Sequence, residues 1–139
     1  MNSWLRGLAA VLMGLIVAFA VTFGIEWINS RIFPMPLGPD YRDPEVRKAA
    51  IAQLPAMALV VRLAGGFLAA LSGAWSATWI ARADHRPAWF LGVLLVAAAV
   101  GDMRAIPRPV WFWVGALVLY PVAIGLGARL GATAVRPVG

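Results

Sequence analysis

Four stretches of this chain are apolar over a length that can cross a lipid bilayer, and this limits the fold more than any motif does. A transmembrane helix needs about 20 mostly apolar residues to span a hydrocarbon layer about 30 Å thick. Runs of that kind occupy residues 4–28, 54–81, 88–106 and 109–129. Lipid offers no water to satisfy peptide groups, so each run must be helical, and successive spans alternate in direction. The expected architecture is an all-α membrane protein, a single domain over 1–139 whose four transmembrane helices form an up-down-up-down bundle. Composition agrees, since 62% apolar and 13% charged residues in 139 leave more apolar surface than a water-soluble domain of this size can bury.

The third run is strictly apolar only from Trp89 to Gly101, and reaches spanning length by continuing through Asp102. Pro121 stands inside the fourth and removes one helical hydrogen bond there. Near the start, Arg6 and the small residues of Ala18-Phe19-Ala20 resemble a secretory signal and its cleavage site. The apolar run passes straight through that site to Ile25, so a retained first span is expected. Trp4, Trp79 and Trp89 fall near one membrane surface and Trp27, Trp111 and Trp113 near the other, as interfacial anchors do. Trp75, one turn deeper than Trp79, is expected to pack between helices.

Gly65, Ala69, Gly73 and Ala77 recur every fourth residue and place a column of small side chains on one face of the second span. Such faces let helix backbones approach closely, a principal source of association where the solvent is itself apolar. Gly14 with Ala18, and Ala123 with Gly127 and Gly131, form shorter patches. The column serves either packing within one bundle or self-association.

Arg62 lies three and four residues before Gly65 and Gly66, on nearly the same face, and therefore points into protein. It sits about 7 Å from the centre of its span at 1.5 Å per residue, where an arginine requires a partner. Alternating spans bring the end of the first, the start of the second, the end of the third and the start of the fourth to one side. Glu26, Arg62, Asp102, Arg104 and Arg108 thus share one half of the bilayer, with Asp102 also about 7 Å from its midpoint. Glu26, nearer the headgroups, can pair with Arg62 or with Arg104. A buried polar cluster of Glu26, Arg62, Asp102 and Arg104 is expected.

Arg31-Ile32-Phe33-Pro34-Met35-Pro36 and Arg104-Ala105-Ile106-Pro107-Arg108-Pro109 share the spacing R-x-x-P-x-P, an echo of two related hairpins or a coincidence of stop signals. In the first loop, Asp43-Pro44-Glu45 presents an N-cap, a proline at the first helical position and an early acid, which predicts a short helix over about 44–53. That helix is either an interfacial lid over the cluster or a solvated connector.

Several function classes are excluded or unsupported. There is no cysteine and one histidine, His85, in the link Arg82 to Pro87, so thiolate, multi-histidine metal and bis-histidine haem sites are out of reach of one chain. No metal, no cofactor and no enzymatic activity are expected, because no phosphate loop or hydrolase arrangement is present. The net charge of +6 is scattered singly, which argues against nucleic acid and for lipid headgroups as the partner. Cations nearly tie across the membrane: Arg6, Arg82, Arg86, Arg129 and Arg136 against Arg31, Arg42, Arg47, Lys48, Arg104 and Arg108. Short links on the side of the termini make cytoplasmic termini the expected orientation.

The order of features is an acid ending the first span, a proline-rich exit, an Asp-Pro-Glu loop helix, a Gly/Ala-rich second span, and Ile-Pro-Arg-Pro-Val-Trp-Phe-Trp opening the fourth. It resembles small four-helix bacterial integral membrane proteins without an assigned activity, over nearly the whole chain. The resemblance implies a multi-pass protein of the bacterial inner membrane and contributes no catalytic residue. The function expected is a non-enzymatic accessory or assembly module, as a homo-oligomer or in a larger membrane complex. The alternative is a homo-oligomeric transporter or channel for a small solute or ion, using Arg62 with Glu26 and Asp102.

Overall fold

The computed structural model describes residues 2–34, 42–106 and 108–135, and every regular element among them is a helix. These are α1 (Ser3–Ile32), α2 (Pro44–Ala52), α3 (Ala56–Ile80), α4 (Arg86–Ala105) and α5 (Val110–Val135). The four long ones are each apolar enough to span a membrane. The chain is a multi-pass helical membrane bundle. Pro36, Pro107 and Arg136 lie outside the described residues.

Two spans run longer than their apolar runs. α1 continues through the polar turn Asn29-Ser30-Arg31 until Phe33, one residue before Pro34, and α5 continues past Arg129 because Gly131 and Ala132 still pack inward. Pro121 does not interrupt α5, and its ring is exposed. α1 likewise runs unbroken through Ala18-Phe19-Ala20, where Ala18 is buried.

α3 is the centre of the bundle. It packs along α1 on one side and α5 on the other; α1 and α5 do not touch, and α4 lies against all three. The reason is that α3 carries two small-residue faces. On the first, Gly65, Ala69, Gly73 and Ala77 are buried against α1. A Cβ on Gly14 would stand 2.8 Å from the Gly73 carbonyl oxygen and 3.1 Å from the Ala77 Cβ, so backbone meets backbone at this crossing. On the second, a Cβ on Gly127 would overlap the Leu71 carbonyl and one on Gly131 would stand 2.5 Å from that of Trp75. The three small-residue patches are therefore consumed by contacts within one chain, and the column on α3 is not left free for self-association.

α4 is packed only in part. Pro87, Ala88, Leu91 and Gly92 are buried at its start, Val93, Leu94, Ala97 and Ala98 are exposed, and Met103 is buried again beside Leu59, Phe112 and Ala116. α5 packs mainly on α3 and lightly on α4, unlike the close α1–α3 hairpin, so the R-x-x-P-x-P echo has no counterpart in the packing.

Asp43 caps α2 by accepting from the Glu45 N–H at 2.9 Å, and among the described residues α2 makes no close backbone approach to any of the long helices, which favours the connector of the two alternatives. Its nine residues include Glu45, Arg47 and Lys48, and only Ala50 is buried, leaving no apolar face broad enough to dock. Trp75 does not pack between helices; it is exposed and stacks on Trp79 with ring centroids 6.2 Å apart. Trp4, Trp27, Trp79, Trp89 and Trp111 are exposed, and Trp113 is half-buried against the Leu59 cluster.

Candidate polar cleft between α1, α3 and α4

Arg62, in the second turn of α3, reaches α1 and α4. Its Nε forms an ion pair with Glu26 Oε1 of α1 at 2.9 Å, and its Nη2 stands 3.7 Å from Asp102 Oδ2 of α4. Alternation of the spans brings these three residues together: the end of α1, the start of α3 and the end of α4 share one side. One turn beyond Glu26, Asn29 Nδ2 donates to the Ala58 carbonyl at 3.3 Å and ties α1 to the opening of α3.

Arg104 does not join the cluster. It is exposed at the end of α4, and no ion pair among the described residues includes it. Residues two apart on a helix point about 200° apart, so once Asp102 faces α3, Arg104 must face away. The second cation is Arg108, from the hairpin between α4 and α5. Its Nη2 donates to Asp102 Oδ2 at 2.7 Å, its guanidinium lies 4.8 Å above the Phe112 ring, and its side chain is only 4% exposed. Arg108 is therefore not the headgroup anchor its loop position suggests. Burial, and then the nearby Arg62 charge, lower its pKa from the ordinary arginine value, and Asp102 opposes the shift.

Below these charges lies a cleft of about 300 Å³. Phe19, Thr22 and Glu26 form the α1 wall, and Leu95, Ala98 and Asp102 the α4 wall, each set spaced by one or two helical turns. Gly65, Gly66 and Ala69 make the floor. Phe19, Thr22 and Ala98 are exposed while Gly65 and Ala69 are buried, so the cleft opens sideways between α1 and α4. Tyr120 of α5 reaches it from behind: a Cβ on Gly66 would overlap the Tyr120 hydroxyl, so glycine at 66 admits the ring.

Sequence reasoning put Arg108 on the correct side of the membrane but left it out of the cluster, because helical periodicity says nothing about direction after a break at Ile106. It missed Tyr120, for which a signal existed, since a phenol inside an apolar span must find a polar surrounding.

Two carboxylates and two guanidiniums sum to zero formal charge, and each carboxylate has a guanidinium nitrogen within 2.9 Å. Among the described residues there is no group of three or more histidines, cysteines or acids that could hold a metal ion. Comparison with protein-family models, curated proteins and solved structures returns no match to this chain.

Proposed function

We propose that the protein is a non-enzymatic accessory or assembly module of a bacterial inner membrane, with both termini cytoplasmic, that acts beside a second copy or within a larger complex. Glu26, Arg62, Asp102 and Arg108 fix the helix ends at one side and hold open a cleft that faces the plane of the membrane. The observation that carries this reading is charge closure: the cations and acids pair with one another from three helices and a hairpin. A self-neutralised network of this kind orders helices and leaves no uncompensated charge to drive an ion or a proton. Cytoplasmic termini rest on the short links at their side of the membrane, since the cation tallies of the two sides nearly tie.

One observation favours a second reading, a homo-oligomeric transporter or channel. Glu26, Arg62 and Asp102 are each about a third or more exposed and line the cleft, where a small solute could meet them. Proteoliposome flux separates the two. On the accessory reading, purified protein moves small anions, cations and protons no faster than empty vesicles, and Arg62→Met lowers stability alone. Flux that Arg62→Gln and Asp102→Asn abolish would overturn it in favour of transport.

A further inference from the structure

At the opposite end of the bundle, α4 and α5 leave a second groove, of about 520 Å³. His85 and Trp89 border it at the start of α4, and Val122, Gly125, Leu126 and Arg129 border it along α5. Because α5 is a helix, Val122 to Arg129 extends about 10 Å along the bundle axis. The polar and apolar ends of the groove are thus separated in the direction of the membrane normal. Arg129 and His85 stand at the end where α3 gives way to α4, beside the exposed anchor Trp89, and Val122 lies deeper. The floor is hollow at Gly125, where an added Cβ would meet nothing within 4 Å.

The charge at the polar end is one-sided. Arg82, Arg86 and Arg129 are exposed there against the single acid Asp84, whose Oδ1 accepts from the Arg86 N–H at 3.0 Å. Among the described residues, neither Arg129 nor His85 enters an ion pair. An arginine at headgroup level with free donors matches a phosphate, and a hollow apolar strip beneath it matches the start of an acyl chain.

We propose that this groove is a binding site for an anionic phospholipid, its phosphate held by Arg129 and His85 and its first acyl carbons lying over Gly125. A zwitterionic choline lipid would bring its ammonium against Arg82, Arg86 and Arg129, so the preference is for a headgroup with net negative charge. The site is independent of the Arg62 cleft and of the reading given to it.

The test uses the full chain, delipidated in neutral detergent, with bound lipid counted by native mass spectrometry and thermal unfolding followed in parallel. Phosphatidylglycerol should be retained and should raise the unfolding temperature, whereas phosphatidylcholine and inorganic phosphate should do neither. Arg129→Gln should weaken phosphatidylglycerol retention about fivefold, the worth of one interfacial cation. Gly125→Leu, whose Cβ enters open space and whose branches occupy the hollow, should abolish retention with lipid-free stability unchanged. Gly24→Leu, equally open and outside the groove, should bind as the parent does. Equal retention of both lipids, or undiminished binding by Arg129→Gln and Gly125→Leu, would overturn the proposal. So would a full thermal shift from inorganic phosphate alone, which would make the ligand a free anion.

Discussion

Replacing Arg108 by methionine tests whether the cluster is organised around the hairpin cation. The side chain is 4% exposed, donates to Asp102 at 2.7 Å and covers the Phe112 ring at 4.8 Å. A hydrogen bond to a charged group contributes about 1.5–3 kcal/mol, and a cation over an aromatic face about 0.5–2 kcal/mol. Methionine recovers part of the contact with Phe112, and Asp102, with 44% of its side chain exposed, recovers hydration when its partner is lost. A net loss of about 2–3 kcal/mol follows. Arg104→Met removes the same charge two residues beyond Asp102, from an exposed position, and should stay within about 0.5 kcal/mol of the parent. The assay is equilibrium unfolding in mixed micelles followed by tryptophan fluorescence. If Arg104→Met costs as much as Arg108→Met, or if Arg108→Met costs under about 0.5 kcal/mol, the assignment of the second cation is refuted.

Gly73→Leu should force α1 from α3 and Gly127→Leu should force α5 from α3, each costing more than about 2 kcal/mol or abolishing folded yield, because the added atoms meet backbone oxygens. Gly7→Leu, whose Cβ meets nothing within 4 Å, should express and unfold like the parent, and equal loss for all three would refute the close-packing account. Arg82 and Ala83 close α3 with φ of 56° and 70°, a left-handed conformation that costs a side-chain-bearing residue about 1–2 kcal/mol. Ala83→Gly should therefore raise the unfolding temperature by a few degrees in a thermal scan, and a fall would show that the turn is not strained as described.

The spans, the centrality of α3 and the meeting of Glu26, Arg62 and Asp102 were legible because each follows from counting. Twenty apolar residues make a span, every fourth small residue makes a packing face, and alternating direction assigns residues to one side. Arg104 could have been excluded by the same counting, since positions two apart cannot share a helix face. What counting does not reach is the chain outside regular helices. Arg108 folds back across the hairpin onto Asp102, and α2 stays off the bundle, because neither placement is set by periodicity. The cleft lies where the inward side chains of α4 between Gly92 and Met103, Leu95 and Ala99, are only partly buried, and their apolar sequence does not distinguish them from fully packed positions.

The ion pair between Glu26 and Arg62 is the contact on which the account of the cluster turns, and a double-mutant cycle reads it most directly. With Glu26→Gln, Arg62→Met and the combined variant unfolded in the same micelles, the account predicts a coupling of about 1–2 kcal/mol, the value between exposed and buried pairs for side chains about a third exposed. Losses that add to within about 0.3 kcal/mol would mean that the two residues do not hold each other, and would contradict the account.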